Sequence, residues 1–308
     1  MPVPIEPPIE TPGSLAEAYA LLADSTAEDP VTPIAGGTDV MVRITGEIGE
    51  PPRRMVDLSR LRELRGIAVD RGEVVIGALT TYTEIRRSSV CREHLPALVE
   101  AAATIGAAQI QNRGTVGGNA ANASPAGDTL PVLLALDAVF DLSGARGERP
   151  VPANAFWVAY RRTALAPDEL ILRVRIPIGG GRETRFRKIG TRRAQAISKV
   201  VLALSWVDRD GSPGRGRIPS IETSGNGPIG TWRDVRLALG SVADRPVRAR
   251  ATEAVLEGAS PTPETADAAA ETLAGEIHPI DDVRSTADYR RVVAARALHR
   301  MVRDAGGW

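Results

Sequence analysis

Val31-Thr32-Pro33-Ile34-Ala35-Gly36-Gly37-Thr38-Asp39 reads as a short strand running into a paired-glycine turn, with Val40-Met41-Val42 and Ile44 beyond it as a helix. Pro33 places that strand at an edge or at a first position. Further along, Thr115-Val116-Gly117-Gly118-Asn119 repeats the turn, followed by Ala123-Ser124-Pro125-Ala126-Gly127-Asp128. Glycine lets the backbone take positive φ and approach another group closely. Successive main-chain N–H groups can then form an anion-binding nest, and a helix that follows adds partial positive charge. One Gly-Gly turn is more often only a tight turn. Two of them, brought together, can hold a diphosphate from both sides without any Lys or Arg. Asp39 would repel a phosphate at close range and reads as a helix cap. Asp128 has two readings of equal weight, an acceptor for ribose hydroxyls and a cap for the helix beginning at Leu130. The Gly-x-Gly-x-x-Gly fingerprint of the doubly wound dinucleotide fold is absent.

Composition narrows the chemistry. The chain has 308 residues, 43% of them hydrophobic and 25% charged, with 38 basic and 38 acidic side chains. The length suggests about two domains. Zero formal charge gives no bulk field toward nucleic acid or an anionic membrane. No apolar run approaches the ~18–20 residues of a membrane span. The opening MPVPIEPPIETPG has no basic or apolar leader region, so it does not read as a signal peptide and a cytoplasmic protein is expected. The single Cys91 excludes an internal disulfide and a cluster held on about four thiolates of this chain. His94, His278 and His299 lack metal-ligand spacing. No Gly-x-Ser-x-Gly elbow is present, and nothing marks activating neighbours for a Cys nucleophile. Chemistry on this chain therefore falls to a bound organic cofactor. Lys188 and Lys199 are the only lysines among 38 basic residues, which draws attention to both.

The pattern along the chain is α+β. The first thirteen residues form a Pro-rich arm. Ser14 to Glu17 is a capping box opening a helix, and Thr81 with Glu84 is a second one. Met55 to Leu58, Ile67 to Val69, Val74 to Gly77, Ala138 to Leu142 and Leu170 to Ile176 read as strands. Pro96 to Ala108 and Leu130 to Leu136 read as helices. Pro177-Ile178-Gly179-Gly180-Gly181 is the domain boundary. Beyond it, Phe186 to Ile189, Ile197 to Trp206, Arg217 to Glu222 and Val235 to Leu239 suggest a second sheet, followed by helices over 249–258, 263–275 and 285–304. Residues 1–177 are thus expected to form one domain, with subdomains of about 1–57 and 58–177, and residues 182–305 the other.

Three ordered segments carry a resemblance. Pro33 to Asp39, Gln109-Ile110-Gln111-Asn112-Arg113-Gly114 through Asn119, and Ser124 to Asp128 resemble the FAD-binding medium subunit of the molybdenum hydroxylases, which include xanthine dehydrogenase and aerobic carbon monoxide dehydrogenase. The likeness continues through Asp168 to Leu172, Phe186 to Arg193, Leu239 to Val242, Asp282 to Arg284 and Tyr289-Arg290. It implies non-covalent FAD between two N-terminal α+β subdomains, completed by a C-terminal domain of antiparallel sheet and helices. It implies that Ala35, Gly36, Gly37, Thr38 and Asp39 form one FAD loop. Thr115, Gly117, Gly118 and Asn119 form the other, with Asp128 toward the adenosine half. Leu172, or its neighbour Ile171, lies near the flavin ring by the same likeness, and so does Lys188, whose alternative is a solvated strand lysine. Gln111 stands where many relatives carry Arg. The Ser212 to Thr231 segment is longer than usual.

The function implied is electron relay. A partner large subunit oxidises the substrate at a molybdopterin centre, a small subunit carries two 2Fe-2S clusters, and FAD on this chain passes their electrons to a terminal acceptor. The rival enzyme class is a self-contained FAD-dependent oxidase or reductase. A non-enzymatic scaffold that has lost FAD is the third reading.

Overall fold

A computed structural model of the protein describes residues 7–26, 28–45, 50–192, 195–208 and 230–308. Most of the Ser212 to Thr231 segment, the strand expected over Arg217 to Glu222, and Arg193 lie outside the described residues.

The chain opens with β1 (Ile9–Glu10), α1 (Leu15–Ala23), β2 (Val31–Ile34), α2 (Thr38–Ile44) and β3 (Arg54–Asp57). Both β1 and β2 pair parallel with β3, so the Pro33 strand lies at an edge. The end of the Pro-rich arm is itself a strand, because Ile9 pairs beside Met55. At α1 the Ser14 hydroxyl accepts from the Glu17 amide at 3.2 Å, but the Glu17 carboxylate takes the Gly13 amide at 2.7 Å. The expected box thus closes one residue further out. Ala18, Leu22, Val31 and Val56 are buried here with Leu170 and Leu172 of a later strand.

Next come β4 (Ile67–Asp70), β5 (Glu73–Gly77), α3 (Tyr82–Arg87), α4 (Ser89–His94), α5 (Pro96–Thr104), α6 (Ala108–Arg113), α7 (Val116–Asn122) and α8 (Leu130–Ala135). They are followed by β6 (Val139–Gly144), β7 (Gly147–Pro152), α9 (Ala153–Phe156), β8 (Trp157–Ala159), β9 (Arg162–Thr163) and β10 (Leu170–Pro177). The five strands β4-β5-β10-β6-β7 form an antiparallel sheet with β10 at its centre. Arg71 and Gly72, at φ 47° and 79°, make the left-handed two-residue turn that matches strand twist. Alternation along β10 sends Val174 and Ile176 into the core, while Arg173 and Arg175 grip Asp141 on the opposite face at 2.6 and 3.0 Å. The helix expected from Pro96 to Ala108 stops at Thr104, where Gly106 at φ 46° turns the chain into α6.

The last third is β11 (Arg182–Ile189), β12 (Val200–Asp208), β13 (Trp232–Gly240), β14 (Val247–Arg248), α10 (Arg250–Leu256), α11 (Pro263–Glu276) and α12 (Ala287–Gly306). The strands pair antiparallel in sequence order. One face packs Leu202, Leu204, Leu237 and Leu239 against the leucines of the three helices. The other face presents Ala203 and Ala238 to the preceding core. These small side chains let α8, every residue of which is buried, lie on the sheet. Ser205 Oγ donates to the Ala135 carbonyl at 2.9 Å, and the Ser241 amide donates to that of Pro125 at 2.8 Å. The architecture is α+β. No helix of the described residues is long and apolar enough to cross a membrane.

Candidate functional site

The two paired-glycine turns meet. A Cβ on Gly36 would collide with the Arg113 carbonyl, and one on Gly118 would stand 3.5 Å from Ala35 Cβ. Glycine is required at Gly36, while at Gly118 the approach to Ala35 is ordinary van der Waals contact. The turns border a cleft of about 600 Å3, a volume ordinary for a ligand site. Ala35, Gly36, Gly37, Thr38 and Asp39 line one wall, and Thr115, Gly117, Gly118 and Asn119 line another. A second cavity, of about 660 Å3, lies between Asp137 and Arg236 at the seam with the C-terminal sheet. Its charges are already paired, Arg236 with Asp137 at 3.0 Å and Arg248 with Asp137 at 3.2 Å, so it presents little open valence.

The two turns do different work. Gly37, at φ 76°, is the N-cap of α2 and has no side-chain cap. The first amide to find a partner is that of Met41, which donates to the Gly37 carbonyl at 2.9 Å. The amides of Thr38, Asp39 and Val40 are the orphan donors of a first helical turn and open into the cleft region. Asp39 does not cap the helix, because the left-handed glycine moves the cap two residues earlier. Its carboxylate instead accepts from Asn122 Nδ2 at 2.7 Å. The confined surroundings push its pKa up, against the opposing pull of Arg161, Asn122 and Thr38.

At the second turn the amides are spent inside the protein. Gly117 donates to the Ala78 carbonyl at 2.9 Å, Val116 to that of Thr80 at 3.1 Å, and Gly118 to Thr115 Oγ1 at 3.1 Å. The expectation of two amide nests is therefore corrected to one. The second glycine pair serves close packing: a Cβ on Gly117 would meet Ala78 Cβ at 2.6 Å. What this wall offers a ligand is the Asn119 carboxamide. Thr129 Oγ1 donates to Asn119 Oδ1 at 3.0 Å, which turns the Asn119 Nδ2 away as a donor.

Three expected site residues lie behind the cleft wall. Lys188 Nζ stands 2.6 Å from Asp128 Oδ2 and 3.0 Å from the Thr104 carbonyl, and its side chain is 11% exposed. A solvated strand lysine is thereby excluded. Asp128 does not cap α8 either, since Thr129 occupies that position. Burial pushes the Asp128 carboxyl up, and the Lys188 ammonium opposes it. The other oxygen, Oδ1, is buried with no partner. Ile105, next in the chain to Thr104, does line the cleft. Leu172 packs against Leu79 and Leu170, and these two line the cleft together with its neighbour Ile171, while Leu172 itself does not. Gln111 is buried and staples this wall, donating to the carbonyls of Ala103 at 3.2 Å and Ile105 at 2.9 Å.

Tyr82, Asn122 and Arg161 also line the cleft, and sequence reasoning passed over them. Tyr82 carried a signal, as the first residue after the Thr81 cap. Its hydroxyl lies 3.4 Å from Thr129 Oγ1, and burial raises its pKa far above the ordinary tyrosine value. Arg161 sits in the turn between β8 and β9 and carries no motif.

Residues 5–179 match the family described as the FAD binding domain in molybdopterin dehydrogenase. The chain belongs to this family. Residues 222–305 match a second description, the CO dehydrogenase flavoprotein C-terminal domain. The carbon monoxide dehydrogenase medium chain of Hydrogenophaga pseudoflava is 30% identical over 299 residues, 96% of this chain and 95% of that one. The xanthine dehydrogenase FAD-binding subunit of Escherichia coli O157:H7 is 28% identical over 299 residues, 96% of this chain and 95% of that one. A solved carbon monoxide dehydrogenase from H. pseudoflava, lacking the Mo-pyranopterin moiety of its molybdenum cofactor, superposes with a TM-score of 0.84 at 30% identity. That match covers 97% of this chain and 96% of the other. The family's cofactor fits what the cleft presents. Orphan amides at Thr38 to Val40 suit a diphosphate, and Ile105, Ile110, Leu165 and Ile171 suit an aromatic ring system.

Proposed function

We propose that this chain is the FAD-binding electron-transfer subunit of a molybdenum hydroxylase complex, receiving electrons from 2Fe-2S clusters of a small partner subunit and passing them to a terminal acceptor. A molybdopterin-binding large subunit oxidises the substrate. The observation that carries this reading is the set of unpartnered amides at Thr38, Asp39 and Val40, facing a cleft whose second wall is built on Gly117 and Gly118. Ala35 to Asp39 hold the diphosphate, and Thr115, Gly117, Gly118 and Asn119 form the facing surface. When bound, FAD supplies exchange of electrons singly or in pairs. Asp128, Lys188 and Leu172 act from behind the wall as positioning residues, through Thr104 and Ile171. No acid–base pair of the protein is needed, which agrees with a cleft whose ionisable groups, Asp39, Glu169, Arg43, Arg161 and the buried Tyr82, sit among glycines and aliphatic residues. Residues 1–177 form the FAD domain, with subdomains of about 1–57 and 58–177, and residues 182–305 the C-terminal domain. The complex works in the cytoplasm.

Purification under native conditions tests the proposal. The chain should carry the visible absorption of a flavin and co-isolate with a molybdopterin subunit and a 2Fe-2S subunit. A chain without flavin, or one that turns over a substrate by itself, overturns it.

A further inference from the structure

Asn122, the last residue of α7, joins three elements. Its Nδ2 donates to Asp39 Oδ1 on α2 at 2.7 Å, and its Oδ1 accepts from Arg161 Nη1 at 2.9 Å. The two bonds fix the orientation of the carboxamide. A guanidinium demands the oxygen on its side and a carboxylate demands the NH2 on the other. Only an amide serves both: an acid would repel Asp39, and a hydroxyl would not span them. One support and the residue after Asn122 are held in sparsely populated backbone. Arg161 is at φ 51°, and Ala123, the residue that ends α7, is at φ 49°.

The element so tied has few other anchors. No residue of α2 is buried, although it carries Val40, Met41, Val42 and Ile44, and Met41 is 54% exposed. Its start is fixed where Gly36 lies against the Arg113 carbonyl. The Asp39–Asn122 bond is the polar link from the body of this helix to the opposite wall.

We propose that Asn122 is a clasp: it holds α2, and with it the open amides of Thr38 to Val40, against α7 over bound FAD, and Arg161 sets its orientation. The inference rests on the FAD reading above. A clasp of this kind acts on escape rather than entry, because it has to part before the ligand leaves.

The test measures flavin release from the full-length chain loaded with FAD, followed by recovery of flavin fluorescence after dilution. Asn122→Ala and Asp39→Ala should each speed release by about five- to tenfold, the loss of one charge-assisted hydrogen bond. The double variant should release no faster than either single one, since both remove the same bond. Asp39→Asn keeps an acceptor oxygen but loses the charge, so its release rate should fall between those of the parent and Asp39→Ala. Arg161→Ala should give a smaller increase. Unchanged thermal melting of the flavin-free variants separates the clasp from a general loss of stability. Release at the parent rate in Asn122→Ala, or single effects that multiply in the double variant, overturns the clasp. A parent chain that takes up no FAD overturns the function proposed above, and the clasp with it.

Discussion

A methyl group on Gly117 would stand 2.6 Å from Ala78 Cβ and 2.8 Å from the Ala78 carbonyl oxygen, the acceptor of the Gly117 amide. The neighbour on one side is therefore backbone, which cannot swing away. Gly117→Ala should destabilise the chain by about 1–3 kcal/mol, as an overpacked core does, and lower flavin content because α7 shifts. Denaturant unfolding and flavin absorption check both. Combining it with Ala78→Gly removes the nearer contact and should restore part of the loss; no recovery would place the strain elsewhere. A second residue-scale case concerns pH. Glu169 lines the cleft and takes Arg149 in two bonds, at 2.7 and 2.6 Å. The Arg149 bonds hold its carboxyl below the ordinary value of 4.5. A carboxyl held low stabilises the fold above that value, and the contribution disappears as pH falls through the depressed one. Glu169→Gln should therefore cost up to about 1 kcal/mol at neutral pH, little because Arg149 is half exposed. The difference from the parent should close in acid, as read from denaturant unfolding at several pH values.

Elements show where buried charge does its work. Lys188 on β11 reaches Asp128 in the loop before α8 and the carbonyl that ends α5, with both side chains about a tenth exposed or less. Removing the ammonium strands a buried carboxylate, so Lys188→Met should cost about 3–5 kcal/mol. Adding Asp128→Asn removes the stranded charge and should recover most of it, an interaction that double-variant unfolding measures directly. Elements also show what the sequence made legible. The hairpin at Arg71-Gly72, the capping box at Thr81 and the apolar helix from Leu130 were readable because turn chemistry, caps and periodicity are local. Nine of the expected site residues line the cleft, since paired glycines announce close backbone approach. The division of labour between the turns was not readable. Whether the Gly117 amide is open or spent depends on Ala78, a residue far away in the chain. Arg161 was invisible for the same reason: its role comes from a hairpin turn brought beside α7 by the fold.

At the scale of the whole molecule, the cleft and the C-terminal sheet are mechanically one. The chain leaves α7, passes Ser124 to Thr129, and enters α8, which has the β12–β13 sheet against it. That loop is gripped from the sheet side: Ser198 Oγ donates to the Ala126 carbonyl at 3.1 Å, and the Ser241 amide to that of Pro125 at 2.8 Å. A Cβ on Gly240 would meet the Pro131 ring at 3.0 Å and the Pro125 carbonyl at 3.2 Å, so the sheet lies directly against the start of α8 and the loop before it. Arg290 of α12, 4% exposed, adds bonds to the carbonyls of Ser241 at 2.7 Å and Lys199 at 3.0 Å. Separating the two halves would expose the apolar face of α8 that lies on β12 and β13, leaving it only its packing on α5 and α9. The halves should therefore unfold together. Calorimetry of the flavin-free chain should give a single transition whose calorimetric and van't Hoff enthalpies agree. Saturating FAD binds only the native cleft, so it should raise that transition as a whole, by an amount that grows with the logarithm of flavin concentration. Two resolved transitions, with only the lower or the upper one moved by FAD, would mean that the α8 seam is weaker than its burial implies and that the cleft answers to its own domain alone.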